Sequence, residues 1–161
     1  MSISVNTMRT IDHLVGVPLC AVISPLVAII DGIKNSFSRQ LSEPKKILFI
    51  ELSEMGSAIL VDPAMRNAQS RGAELFFLIF KSNCASLTLL NTVKPENIFT
   101  IDSSSLGSLV QDTLKFLVLA RKHQIDTVID LELFSRFTAL LTGLCGARRR
   151  VGYHIFHGEG L

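Results

Sequence analysis

A chain of 161 residues suits one domain of ordinary size, and 48% hydrophobic against 19% charged residues excludes a disordered tail. The 16 basic and 14 acidic residues leave a net charge of +2, without the basic excess usual in nucleic-acid binding, so no nucleic-acid partner is expected. Cys20, Cys84 and Cys145 form neither a CxxC nor a Cys/His cluster, which argues against a disulfide framework and a zinc site. They read as small apolar residues, compatible with a reducing compartment.

The first expected element is an apolar helix over 14–30 (LVGVPLCAVISPLVAII), which holds no ionisable residue. At 1.5 Å per residue it reaches about 25 Å, against a hydrocarbon core of about 30 Å. Pro18 and Pro25 lack the amide donor of a continuous helix and would kink it. The sparse charge before the run, Arg9 against Asp12, and the lack of an A-x-A-like site argue against a cleaved signal peptide. Lys34, Arg39, Lys45 and Lys46 follow, which by the positive-inside rule would leave the downstream domain in the cytoplasm. Residues 1–45 are therefore expected to form an apolar helix and linker that associates with a membrane, as a span or a shallow anchor. The alternative is a helix buried against a partner domain. His13, flanking the run, reads as an interfacial residue.

After a linker near 42–44 the pattern changes to alternating strands and helices. Strands are expected over 46–52 (KILFIEL), 73–80 (AELFFLIF), 97–101, 126–131 (DTVIDL) and 148–153 (RRRVGY). Helical spacing covers 56–69, 83–92, 106–123 and 134–144. Pro63 implies a kink in the first of these or a late start, and Gly72 its end. Serines 103–105 offer N-caps for the third, and Gly146 closes the last. Continuous apolar strands alternating with helices argue for an open parallel α/β sheet covered on both faces, with Phe76, Phe77 and Phe80 as packing. Ligands of such sheets sit outside the carboxyl ends of the strands. That focuses attention on 51–57, 81–84, 102–105, 130–136 and the tail from Tyr153.

The first of these turns, ELSEMGS, holds Ser53, Glu54, Met55, Gly56 and Ser57. A glycine at a helix entrance lets backbone amides approach an anion or a sugar oxygen. Ser53 and Ser57 add hydroxyls, and the Glu54 carboxylate can accept a proton. The turn is neither GxGxxG nor a P-loop, so it gives no support for a nucleotide there, and Ser and Glu are also ordinary capping residues. Asp130 and Glu132, at the end of the fourth strand, alternate onto one face with Leu131 opposite, suited to ligand binding or to capping. Arg136, one turn into the next helix, reads as a solvated residue or as a contact for an anionic group.

In the Arg148-Arg149-Arg150 run, residues 148 and 150 share one strand face and 149 takes the other. The run reads as a charge-protected edge strand, or as a site for anionic lipid or sugar phosphate. His154 and His157 have the spacing of a metal pair but no third ligand nearby, so no metal is expected. Cys145 has no adjacent histidine base and is not read as a nucleophile.

The stretch ILFIELSEMGSAILVDPAM resembles the opening of glycosyltransferase family 9, the bacterial lipopolysaccharide heptosyltransferases, in its apolar strand, Ser-x-Met-Gly turn and Pro-Ala helix segment. The stretch VIDLELFSRFTALLTGLCGARRRVGYHIFHGEG is similar to that family's fourth strand, following helix and Gly-Ala-x-x-Arg-x-Gly turn. The resemblance covers 46–161. It implies a Rossmann-like parallel α/β sheet with flanking helices, the N-terminal, acceptor-side half of a GT-B fold, here preceded by the apolar helix. It places Glu54 and Ser57 in a catalytic turn, with Ser53, Met55, Gly56, Asp130, Glu132, Arg136, His154 and His157 about the acceptor. That acceptor would be a lipid-linked or lipopolysaccharide-core sugar at the cytoplasmic face of the inner membrane. Transfer would be inverting and independent of metal or cofactor. The nucleotide-heptose donor would need a second, C-terminal domain absent from this sequence, so the chain is expected not to transfer sugar alone.

Two departures from the family pattern bear on the chemistry. The resemblance implies an Asp general base where this chain has Ser57, and a neutral serine has far too high a pKa for that task. Glu54 is the nearest carboxylate that could take over. The Lys that often ends the first strand in relatives is Glu51 here, a repelling anion in place of a phosphate-attracting cation, which implies a less phosphorylated acceptor. A reading from another class is a non-catalytic interaction or regulatory module derived from such an enzyme. A third is an unrelated doubly wound domain.

Overall fold

The computed structural model describes residues 16–36, 43–133 and 135–153. In chain order the elements are α1 (Val17–Ser36), β1 (Lys46–Ile50), α2 (Met55–Leu60), α3 (Asp62–Ser70), β2 (Glu74–Phe80), α4 (Ala85–Leu90), β3 (Ile98–Ile101), α5 (Leu106–Lys122), β4 (Thr127–Asp130), α6 (Arg136–Leu144) and β5 (Arg149–Val151). Single 3₁₀ turns at Lys81–Asn83 and Pro95–Asn97 flank α4. The strands form one five-stranded sheet in the order β3-β2-β1-β4-β5, and every pairing is parallel. The fold is a Rossmann-like α/β sheet. The chain builds outward from β1 to β3, then returns to lay β4 on the other side of β1. The topological switch point therefore lies between β1 and β4.

Burial on both faces explains why β1 and β2 read as unbroken apolar runs. On one face Leu48, Ile50, Phe76, Phe99 and Val128 pack under Phe116 of α5 and Leu141 of α6. On the other, Phe49, Phe77 and Ile79 pack under Ala58 of α2, Met65 of α3 and Leu87 of α4. Aromatic contacts tie neighbouring strands, with ring centroids 6.3 Å apart for Phe49–Phe77 and 6.0 Å for Phe76–Phe99. Phe80 lies at the margin of the first core.

Each expected strand is present, trimmed at one or both ends. The single helix expected over 56–69 is instead two, broken at Val61, and Pro63 falls in the first turn of α3. There its missing amide removes no helical bond, so proline starts a helix rather than bending one. The helix expected over 83–92 is shortened to α4 by the preceding 3₁₀ turn and by Asn91, whose φ of 51° closes it in a left-handed cap. Ser105 and Ser135 cap α5 and α6 by accepting from the amides of Ser108 and Thr138. Gly146, at φ +92°, takes the left-handed conformation just past α6. The arginine run does fall on an edge strand, β5.

The apolar N-terminal run forms α1, with Pro18 in its first turn and Pro25 inside it. It packs along α6 of its own chain: a Cβ on Gly16 would lie 2.9 Å from Arg136 Cβ, and one on Gly143 would lie 3.9 Å from Val27 Cγ2. No helix among the described residues is long and apolar enough to cross a membrane.

Candidate functional site

The β1–α2 and β4–α6 connections meet at the switch point, because Ile50 and Asp130 are register partners at the ends of adjacent strands. The two turns are stitched together. Glu132 reaches across to accept from the amides of Leu52 (2.9 Å) and Ser53 (3.3 Å) and from the Ser53 hydroxyl. From the β2 side, Asn83 Nδ2 donates to the carbonyls of Leu52 (2.9 Å) and Ser53 (3.1 Å). Backbone groups of the β1–α2 turn that no strand or helix satisfies are thus held from both flanks.

Glu51 lies beneath this turn, 2% exposed, and accepts from the Glu54 amide at 3.1 Å. Burial raises its carboxyl to about 8, reinforced by a hydrogen bond to Glu132 and by that carboxylate's charge. Near neutral pH Glu51 is therefore largely protonated and hydrogen-bonded to Glu132. This corrects the expectation of a phosphate-repelling anion at the end of the first strand: the side chain is buried and neutral, so it projects no full negative charge into the crevice.

Asp130 is likewise buried, 8% exposed, and points toward α6. It accepts from the Glu132 amide at 3.1 Å and from the Thr142 hydroxyl at 3.5 Å, with the Thr138 hydroxyl, which donates to the Ser135 carbonyl, close by. Burial raises it to about 6, against the opposing pull of these polar neighbours. Asp130 and Glu132 do not line one strand face together, as alternation implied. The strand ends at Asp130, and Glu132 turns across to the neighbouring loop. A Cβ on Gly152 would lie 3.3 Å from Asp130 Cβ, so the chain leaving β5 closes that side.

The groups left facing outward belong to the first turn. Ser53, Glu54 and Gly56 are exposed, and the half-buried Ser57 donates to the Glu54 carboxylate at 3.2 Å. A Cβ on Gly56 would meet nothing within 4 Å, so the space over the start of α2 is open and packing within the chain does not demand glycine. Met55 opens α2, and its side chain lies outside the described residues. Arg136, the first residue of α6, is half-buried beside Gly16 rather than on the solvated face expected of it. His154 and His157, like His13, lie outside the described residues.

Two contributors were missed from sequence, Asn83 and the neutral form of Glu51. Asn83 carried a faint signal, since it ends one of the strand-to-helix stretches where site residues gather. Cys145 is buried and donates to the Thr142 carbonyl at 3.1 Å, and burial raises its thiol, consistent with an inert packing residue. A cavity of about 350 Å³ bordered by Gln69, Lys94 and Asn97 opens at the opposite, amino-end edge of the sheet. The Asn97 amide is already engaged by Glu74 and Leu75. Among the described residues, no group of three or more His, Cys, Asp or Glu is arranged to hold a metal ion.

No protein-family model and no curated protein matches the chain. Among solved structures, the chain is similar to a glycosyl transferase family 9 from Veillonella parvula DSM 2008, with a TM-score of 0.54 and 14% sequence identity. The match covers 72% of this chain and 34% of that one, so the chain spans about a third of its length. The likeness is one of fold, a Rossmann-like parallel α/β sheet.

Proposed function

We propose that residues 46–161 form the acceptor-side half of an inverting glycosyltransferase of the heptosyltransferase kind, acting in envelope glycan or lipopolysaccharide synthesis at the cytoplasmic face of the inner membrane. Its acceptor is a lipid-linked or core sugar, and a second domain holds the nucleotide-heptose donor. The supporting observation is the hydrogen-bonded pair of exposed Glu54 and half-buried Ser57, at the switch point on a turn braced by Glu132 and Asn83. In this reading an acceptor hydroxyl enters the open space over the start of α2, beside Glu54, and attacks the donor's anomeric carbon from the face opposite the nucleotide. The new carbon–oxygen bond forms as the bond to the leaving diphosphate breaks, and the hydroxyl proton passes to the Glu54 carboxylate. Ser57 orients that carboxylate, doing by hydrogen bonding what a serine cannot do as a base. Bracing of the turn fixes Glu54 for the proton transfer.

In an enzyme that joins this chain to a donor-binding domain, Glu54→Gln is expected to lower kcat by about 100-fold or more while leaving the fold intact. Unchanged turnover excludes Glu54. The chain alone is expected to give no saturable signal on calorimetric titration with ADP-heptose, and tight binding there contradicts the half-enzyme reading.

A non-catalytic module that retains the acceptor surface is the second reading. It is favoured by Ser57 at the position where the resemblance implies an acid, and by the internal bonding of Glu51, Asp130 and Glu132. Acceptor binding without any turnover in the joined enzyme would select it.

A further inference from the structure

The outward face of α1 is an apolar surface that the crevice does not explain. Leu19, Val22, Leu26 and Ile29 recur at helical spacing, and Val22, Leu26 and Ile29 are 62%, 55% and 60% exposed. The inward face, with Gly16, Cys20, Ile23 and Val27, lies less exposed, and α1 packs on α6. The helix is thus apolar on both sides, and one side is already taken. Ser24, its one hydroxyl before residue 30, is satisfied within the helix by donating to the Cys20 carbonyl at 2.6 Å. Up to that residue the free face consequently presents no polar side chain that requires water.

A basic cluster stands at the end of α6 that Val27, midway along α1, reaches. Val27 lies against Gly143, and one residue further the Leu144 carbonyl accepts from Arg121 at 3.0 Å. Lys122 adjoins Arg121, while Arg148 and Lys45 both bond through their amides to Asp126 at the same edge of the sheet. All four cationic side chains are exposed. An aliphatic face beside clustered lysine and arginine is complementary to an anionic lipid surface, where acyl chains lie directly below charged headgroups. A second copy of this chain fits less well: a single helix face of these aliphatic side chains falls short of the about 800 Å² per partner that a stable pair buries. A spanning role conflicts with the packing of α1 along α6.

We infer that α1 is an in-plane membrane anchor, which buries Leu19, Val22, Leu26 and Ile29 at the headgroup–acyl boundary of an anionic bilayer while its other face stays on α6. Gly16, at the start of the helix, lies beside Arg136 on the crevice rim. Docking therefore holds the crevice close to the lipid surface, where an acceptor on a lipid anchor resides. That last consequence rests on the proposed function, and the docking itself does not.

The full chain is tested by sedimentation with phosphatidylcholine vesicles with and without about one-third phosphatidylglycerol. Binding is expected to require the anionic lipid, to weaken in high salt, and to fall about tenfold or more in the triple variant Val22→Ser, Leu26→Ser, Ile29→Ser. Leu114→Ser with Val118→Ser, which alters an exposed aliphatic line on α5, is expected to leave binding unchanged. The chain contains no tryptophan, so Leu26→Trp supplies a clean depth probe that does not depend on the folding of the triple variant. Its indole emission is expected to shift blue on vesicles and to be quenched best by bromines near the headgroups. Equal sedimentation of wild type and triple variant, an unmoved indole emission in the Leu26→Trp variant, or quenching that is greatest at the bilayer centre would each overturn the proposal. So would a dimer in solution that the triple variant dissociates while vesicles bind neither protein. A lack of glycosyl transfer in the joined enzyme, with vesicle binding intact, counts against the proposed function alone.

Discussion

Glu51 shows how much a single side chain's meaning depends on its surroundings. In the sequence it is one more acid in an acidic turn. In the fold it is a neutral carboxyl bonded to Glu132 under the crevice floor. Its folded value, about 8, lies above its ordinary one, so the folded chain binds more protons than the unfolded chain between roughly 4.5 and 8. Stability is therefore complete below that window and declines as pH rises through it. Asp130, raised to about 6, adds to the decline in the lower part of the window. Thermal unfolding followed from pH 5 to pH 9 should show the midpoint falling. Glu51→Gln, which keeps the shape and removes the titration, should flatten most of the fall. A midpoint that rises with pH would contradict the assignment. That Ser53, Glu54, Ser57 and Glu132 fall on the connections after β1 and β4 was legible in the sequence, because strand ends can be counted. The roles of Glu51 and Asn83 were not, because burial and bridging between loops depend on which strands become neighbours.

Local chemistry made most elements readable. β1 and β2 announced themselves as apolar runs because both faces are covered, and α5 and α6 by serine caps ahead of periodic apolar residues. The errors fall where one signal had two outcomes. Pro63 could bend a helix or begin one, and the choice was made by Val61 and by the Asp62 carboxylate, which accepts from Arg66 at 2.7 Å and from the Thr92 hydroxyl. Those partners come from outside the local stretch or depend on the turn having formed. Capping offers a measurable consequence at this scale. Ser135→Ala removes the oxygen that accepts from the Thr138 amide, and should lower stability by about 1 kcal/mol in chemical denaturation with an unchanged slope. A loss of stability well under that magnitude would mean that water replaces the cap.

At the scale of the whole molecule, strand–helix alternation was enough to expect a parallel sheet, but strand order was not in the pattern. The return of the chain to the far side of β1 is a long-range choice, and it alone creates the crevice by setting the β1–α2 turn against the β4–α6 turn. The fold likeness to a family 9 glycosyl transferase agrees with that layout. The central claim is that this crevice receives a sugar acceptor. It is tested most directly by following the backbone amides of the full chain by NMR during titration with lipopolysaccharide core oligosaccharide freed of lipid. The expected result is saturable shifts confined to Ser53, Glu54, Gly56, Ser57 and Glu132, lost on Ser53→Ala with Glu54→Gln. An unperturbed spectrum, or shifts gathered at the amino-end edge around Lys94 and Asn97 instead, would contradict it.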